Sequence, residues 1–330
     1  MEASKMDEFA LIRALLERLP APRPDVVVAS GDDAAVVTPP RGQLVLTTDA
    51  LVEGVHFLES TITRHNLGYK SLAVSISDIA AMGGEPLWAT VTLAVSPSWR
   101  EGELAELYDG LAEACSEFGC SVVGGDVVST PGPFTVSIAL VGKAERPILR
   151  SGARPGDILF VTGWLGGSAA GLDVLQGKHS ASPVTQAALA RCHQRPTPRI
   201  GLGLAAARAG VSALNDVSDG LASELNEIAT ASGVRCVIAE NQLPIRPEVK
   251  EHARFAGRSA VDYALYGGED YELVGAAPRE AFARLLAAAN LYNVPVTAIG
   301  RCEDGDGVVM RTADGLEVVE AKGYNHFTSR

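Results

Sequence analysis

Long apolar runs are missing from this sequence: no segment approaches the roughly eighteen uninterrupted apolar residues of a membrane span, and membrane insertion is excluded as a reading. Cysteines are few. Cys115, Cys120, Cys192, Cys236 and Cys302 are odd in number, scattered and without zinc-site spacing, which excludes a disulfide framework and points to reduced thiols in a cytoplasm. Positive charge is short, with 28 Lys and Arg against 40 Asp and Glu, a formal charge of −12. A duplex nucleic-acid partner is thereby disfavoured, because phosphate neutralisation by basic residues supplies most of that affinity. Anionic substrates stay open if metal ions stand between carboxylates and ligand. No G-x-x-x-x-G-K-[ST], H-R-D, D-F-G or EF-hand pattern occurs, so a P-loop enzyme, a protein kinase and an EF-hand protein are set aside.

What is present is the profile of an α/β enzyme, with 47% hydrophobic and 21% charged residues and 34 glycines over 330 positions. That length exceeds the usual limit of a single core, so two domains are expected. "MEASKMDEFALIRALLERLP" reads as a helix and not a signal peptide, with Phe9, Ile12, Leu15, Leu16 and Leu19 at helical spacing after an Asp7 cap. Strands are expected at "DVVVAS", "QLVLTTD", "LWATVTLAV", "CSVVGGD" and "FTVSIALVG", with helices over 66–82 and 101–118. Their order suggests a mixed sheet. The polar stretch "KAERPILRSGARPGD" marks a boundary near residue 148, giving domains 1–147 and 148–330. The second half restarts with "ILFVTG", a Gly-rich turn, several helices and a closing β-rich segment.

Acidic residues recur at the ends of apolar runs: Asp32 and Asp33 in "SGDDAAVV", Asp49 in "TTD", Asp78 in "SISDIAAMGG", Asp126 in "VVGGD", Asp216 and Asp219 in "NDVSDG", Glu269 and Asp270 in "GGEDYEL". Each is read either as a turn or cap carboxylate or as a ligand at a strand end, where open α/β sheets keep their sites. Asp78 is the most informative. It lies on a helix that is apolar nearly all round, where an unpaired carboxylate costs several kcal/mol, so a divalent cation or a distant Arg is required. Oxygen donors without cysteine indicate Mg²⁺ or a similar hard ion. Ser218 is expected to cap a helix whose first turn holds Asp219. "GWLGGSAAG" is read either as a phosphate loop at a helix N-terminus or as small-residue packing. Tyr324 and Phe327 in "KGYNHF" are either a stacking platform or a tail anchor.

Together "GDDAA", "TTDALVEGVHF", "SDIAAMGGEP", "VVGGD", "SGARPGD", "DVSDGL", "YGGEDYEL" and "KGYNHF" resemble the thiamine-monophosphate kinase family, in the family's order and over essentially the whole chain. That family shares its superfamily with aminoimidazole ribonucleotide synthetase and selenophosphate synthetase. The resemblance implies magnesium ligands at Asp33, Thr47, Thr48, Asp49, Asp78, Asp126, Asp216 and Asp219. It implies ATP contacts at Tyr108, Gly125, Asp126, Arg150 and Ser218, and thiamine monophosphate contacts at His56, Glu269 and Tyr324. The implied fold is an α/β (α+β) two-domain aminoimidazole-ribonucleotide-synthetase-like fold, whose N-terminal mixed sheet forms a barrel across a homodimer. Residues 1–147 would bind metal and substrate, and residues 148–330 would contribute to the ATP and substrate sites.

The implied reaction is Mg²⁺-dependent, in-line transfer of the γ-phosphoryl group of ATP to thiamine monophosphate, giving thiamine diphosphate and ADP. It needs no general base, no phosphoenzyme, no nucleic acid and no membrane. Acids scattered over both halves are expected to converge and cage the ions. The alternative is another ATP-dependent synthase of the superfamily that works through a phosphorylated amide-type intermediate. A selenide enzyme would carry a reactive cysteine near its N-terminus, and none precedes Cys115.

Overall fold

The computed structural model describes residues 8–177 and 182–323. Two compact units result, the first reaching Ile79 and resuming over Glu85–Glu145, the second made of Ala80–Gly84 and the chain from Arg146 onward. Through residue 145 the elements are α1 (Glu8–Leu16), β1 (Val26–Val28), β2 (Val36–Val37), β3 (Gln43–Val52), α2 (Arg64–Ala81), β4 (Glu85–Val95), α3 (Glu101–Phe118), β5 (Ser121–Ser129) and β6 (Thr135–Ala144). After it come β7 (Ile158–Thr162), α4 (Gly167–Leu175), α5 (Pro183–Gln194), α6 (Ile200–Ala209), β8 (Ala213–Asp216), α7 (Leu221–Ser232), β9 (Arg235–Ala239), a 3₁₀ turn, α8 (Pro247–Ala256), α9 (Ala260–Tyr266), β10 (Leu273–Ala277), α10 (Arg279–Ala289), β11 (Val296–Glu303), β12 (Val308–Arg311) and β13 (Leu316–Val318).

In the first unit β1 and β2 form a small antiparallel pair, and the main sheet has the order β3-β6-β4-β5. It is mixed: β6 is antiparallel to both β3 and β4, while β4 and β5 run parallel. The parallel pair is joined through α3, as the geometry of a parallel connection demands. Helix α2 buries Leu67, Leu72, Ala73, Ile76 and Ile79, but also Lys70, Ser71, Ser75 and Ser77. Helix α1 buries Leu11 and Leu15, whereas Phe9 is 70% exposed and does not belong to the packed face that its spacing suggested.

In the second unit seven strands take the order β13-β12-β9-β11-β7-β10-β8. Helices cover both faces. Leu159 and Val161 of β7 enter one apolar cluster with Leu225, Ile228 and Tyr263, while Phe160, between them, enters a second cluster with Leu202 and Leu285. Central strands buried on both sides read as continuous apolar runs and not as alternating ones, which is the pattern of "ILFVT" and "LVGAA". Among the described residues no helix is long and apolar enough to cross a membrane.

Candidate functional site

Asp49 does not end its strand. Strand β3 continues three residues further, because β6 goes on pairing with it from Asp49↔Ile138 to Val52↔Thr135. Side chains alternate along a strand, so Thr47 and Asp49 share one face and the exposed Thr48 points to the other. The inner face meets α2: the Thr47 hydroxyl donates to Asp78 Oδ2, and Ser75 stands beside Asp49. Burial raises the Asp49 carboxyl above the usual carboxylate range, with Ser75 pulling it back only in part. Neither Asp49 Oδ2 nor Ser75 Oγ reaches hydrogen-bonding geometry with any group among the described residues. A buried carboxylate oxygen in that condition costs free energy unless something cationic meets it. Lys70, eight residues before Asp78 on the same helix, is itself buried, so α2 carries a cation that the sequence reading passed over; eight residues span roughly 12 Å of helix.

On the far edge of the sheet, β5 carries a bulge. Ala89 pairs with Val122 and Thr90 with Gly124, leaving Val123 as the extra residue. Bulges re-aim the residues that follow, here Gly124, Gly125 and Asp126. Gly125 is sterically required, because a Cβ there would lie 2.0 Å from the Val91 carbonyl oxygen of β4. Asp126, Gly125 and Tyr108 line a cavity of about 650 Å³ together with Asp32 and Asp33. Burial pushes the Tyr108 phenol up to about 12, which keeps its hydroxyl protonated at neutral pH. His56 sits near the end of β3, where its Nδ1 accepts from the Val52 N–H at 3.0 Å. In the neutral ring this leaves Nε2 as the donor.

The second unit gathers another set. Asp216 closes β8 in a buried position. Helix α7 begins at Leu221 after Gly220 at φ 114, so Ser218 does not cap it and Asp219 precedes its first turn. Glu224 takes over: its Oε1 accepts from the Asp219 N–H at 3.0 Å and from the Ser218 hydroxyl at 3.3 Å, and its Oε2 accepts from Asn215 Nδ2. Arg150 donates to Asn215 Oδ1 at 3.1 Å and pairs with Glu227 at 3.2 Å. Arg150, Ser218 and Asp219 are thus joined through Asn215, which opens the "NDVSDG" stretch, and Glu224, neither of them singled out from the sequence as a site residue. Burial, then the charges of Asp216, Glu227 and Asp219, push the Glu224 carboxyl well up.

The "GGEDYEL" segment distributes its acids. Asp270 accepts from the Gly166 N–H at 2.6 Å and the Ser168 N–H at 3.0 Å, so the N-terminus of α4 already holds a carboxylate and the phosphate-loop reading of "GWLGGSAAG" is withdrawn. Burial pushes the Asp270 carboxyl up to about 7 against the pull of those two donors. Glu269 keeps 25% of its side chain exposed. Tyr324 and Phe327 lie outside the described residues.

Among the described residues no three His, Cys, Asp or Glu side chains stand close enough to hold a metal ion by themselves. Asp49 and Asp126 lie on opposite edges of the four-stranded sheet, three strand spacings or roughly 14 Å apart. The oxygen donors of the first unit therefore form separate groups, Thr47, Asp49 and Asp78 in one and Asp33 and Asp126 in the other. The donor set still fits a hard divalent cation: every donor is oxygen, and the unmet Asp49 Oδ2 is buried. Mg²⁺ characteristically takes one or two carboxylates and completes its shell with water and phosphate oxygens.

Two family models match the chain, AIR synthase related protein, N-terminal domain, over residues 31–144 and AIR synthase related protein, C-terminal domain, over residues 154–312. The crystal structure of thiamine-monophosphate kinase from Stenotrophomonas maltophilia K279a superposes with a TM-score of 0.80 at 34% identity, covering 95% of this chain and 96% of that one. AaThiL complexed with AMPPCP and TMP gives 0.78 at 36% identity, covering 99% of each. Thiamine-monophosphate kinase of Bacillus subtilis (strain 168) is 41% identical over 98% of this chain and 100% of its own length. With this identity sustained from end to end, the chain belongs to the thiamine-monophosphate kinase family.

Proposed function

We propose that the protein transfers the γ-phosphoryl group of ATP to the phosphate of thiamine monophosphate, releasing thiamine diphosphate and ADP. The observation that carries this reading is full-length similarity to kinases of that name, one of them complexed with AMPPCP and TMP, combined with a cavity lined by Asp33, Tyr108, Gly125 and Asp126. The acceptor is a phosphate monoester with a second pKa of roughly 6, so its attacking oxygen is already deprotonated at neutral pH and a general base gains little. The obstacle is repulsion, on the order of 4 kcal/mol per unit charge pair at about 4 Å and an effective dielectric of 20. Summed over several pairs, this rivals the barrier reductions of about 8–23 kcal/mol that enzymes achieve.

Mg²⁺, when bound, supplies the positive charge that neutralises the phosphate oxygens of both reactants. Asp33 and Asp126 in the first-unit cavity, Thr47, Asp49 and Asp78 between β3 and α2, and Asp216 at the end of β8 with Asp219 just beyond it are the residues that would hold it. Thr48, on the outer face of β3, would contribute through its main chain. Tyr108, Gly125, Arg150 and Ser218 would bind ATP, and His56, Glu269 and Tyr324 the thiamine moiety, with Glu269 opposite its positive charge. Transfer is direct and in line. Residues 1–147 serve metal and substrate, and residues 148–330 contribute to the ATP and substrate sites, in a cytoplasmic enzyme.

We infer a homodimer in which two four-stranded sheets join by their edges into a barrel. The ten-residue edge strand β3 is open and shows Leu44 and the 72%-exposed Leu46 to solvent, a liability unless covered. The test is ADP release with Mg²⁺ across thiamine, thiamine monophosphate and an aminoimidazole precursor. ADP release with thiamine monophosphate alone is expected. Release only with unphosphorylated thiamine, or only with the precursor, would overturn the assignment.

A further inference from the structure

We propose that His193 is a positioning residue which fixes the Glu269 carboxylate for recognition of the cationic half of the substrate; this rests on the substrate-binding role given to Glu269 above. The segment holding Glu269 is unusually constrained. Glu269 and Tyr271 both take left-handed backbone conformations, φ 65 and 50, although neither is glycine. Such residues persist only where their surroundings over-determine them. Here the Glu269 N–H donates to the Ser218 carbonyl at 2.7 Å and the Tyr271 N–H to the Val217 carbonyl at 2.9 Å.

The three acids of this segment have different fates. Asp270 is engaged by the first turn of α4. Glu272 is 3% exposed and engaged by Arg199 at 2.6 and 2.7 Å and by the Thr162 hydroxyl at 2.8 Å. Glu269 alone of the three combines solvent exposure of a quarter of its side chain with a buried anchor, His193 on α5, whose side chain is 2% exposed. His193 Nδ1 lies 3.2 Å from Glu269 Oε2 and 3.0 Å from Ser168 Oγ.

A carboxylate only accepts, so we place the proton on Nδ1, from which it is donated to Glu269 with Ser168 Oγ at the side of the same N–H. An imidazole locked in the core has little freedom. Glu269, by contrast, has three side-chain torsions to restrict, and the bond from His193 removes that freedom before the substrate arrives. Preorganisation of this kind shows in affinity and not in the chemical step.

Steady-state kinetics with each substrate varied against saturating levels of the other test this on the full enzyme. His193→Leu is expected to raise the KM for thiamine monophosphate about 3- to 10-fold, with the KM for ATP and kcat unchanged within about twofold. His193→Asn, whose side-chain N–H falls where Nδ1–H stood, should keep the wild-type KM. His193→Gln, which reaches to the Nε2 position instead, should raise it; both amides keep the core polar and folded if leucine does not. In a Glu269→Gln background, His193→Leu should add nothing further. Parallel changes in both KM values and kcat, equal values for the Asn and Gln variants, or additive effects in the double variant would overturn the proposal. An unchanged KM in Glu269→Gln would instead overturn the substrate role of Glu269, while a raised KM there with no effect of His193→Leu would overturn the positioning role alone.

Discussion

Asp49→Asn is expected to lower kcat/KM by about 10²- to 10³-fold, the usual cost of removing one electrostatic contributor from a reacting centre, without lowering the stability of the metal-free protein. The two halves of that expectation come from the same atom. Asp49 Oδ2 is buried with no hydrogen-bond partner among the described residues, and burial raises its carboxyl pKa. A carboxylate whose folded pKa lies above its unfolded value contributes stability below the unfolded pKa, near 3.9, and loses that contribution as pH rises through the folded value. Above that window the charge is a burden on the fold, and an isosteric amide relieves it. Urea unfolding at pH 8 in EDTA should therefore place Asp49→Asn at or above wild type. Adding Mg²⁺ should raise wild type more than the variant, because a ligand that binds only the native state stabilises it by mass action. An Asp49→Asn protein that loses activity and metal-free stability together would show that Asp49 is a structural residue.

Arg199→Leu is expected to remove about 3–5 kcal/mol of stability, because it leaves the Glu272 carboxylate charged, buried and short of its main partner. The pair is a fork: Arg199 Nε and Nη2 donate to the two oxygens of Glu272 at 2.7 and 2.6 Å, with further donation from the Thr162 hydroxyl and, at 3.3 Å, the Trp164 N–H. Bidentate geometry and burial separate it from surface pairs such as Arg18 with Asp109, which are worth about 0–1 kcal/mol. Equilibrium urea unfolding measures the difference, and Glu272→Gln added to Arg199→Leu should recover part of the loss by removing the stranded charge. A loss below about 1 kcal/mol for Arg199→Leu would mean that solvent reaches Glu272 and that this pair does not anchor the "GGEDYEL" segment.

Periodicity carried the element types well. Helix α3 covers Glu101–Phe118, the span expected, and the run "LWATVTLAV" lies within β4. These elements bury one continuous stripe or face, so local pattern and tertiary environment agree. Where an element depends on a partner, the pattern fell short. Strand β3 runs past Asp49 because β6 pairs with it, and the bulge at Val123 exists only relative to β4. The same limit holds in the site. The cavity unites Asp33, Tyr108, Gly125 and Asp126 from loop, helix and strand, and Gly-Gly-Asp was a visible signal for it. Glu224 had none, and Asn215 stood in "NDVSDG" beside acids that drew the reading to themselves; the two become a hub only when β8 and α7 meet. Ser218 failed as a cap for a related reason, since the chain spends Gly220 on the turn and the hydroxyl turns to Glu224 instead.

Anomalous diffraction from crystals grown with Mn²⁺ and a non-hydrolysable ATP analogue tests whether oxygen-bound divalent cations are what lets two phosphate-bearing reactants meet here. Peaks are predicted against Asp49 and Asp78, and against Asp33 or Asp126 together with the nucleotide phosphates. A nucleotide bound in full with no anomalous density beside any of these carboxylates would contradict the account.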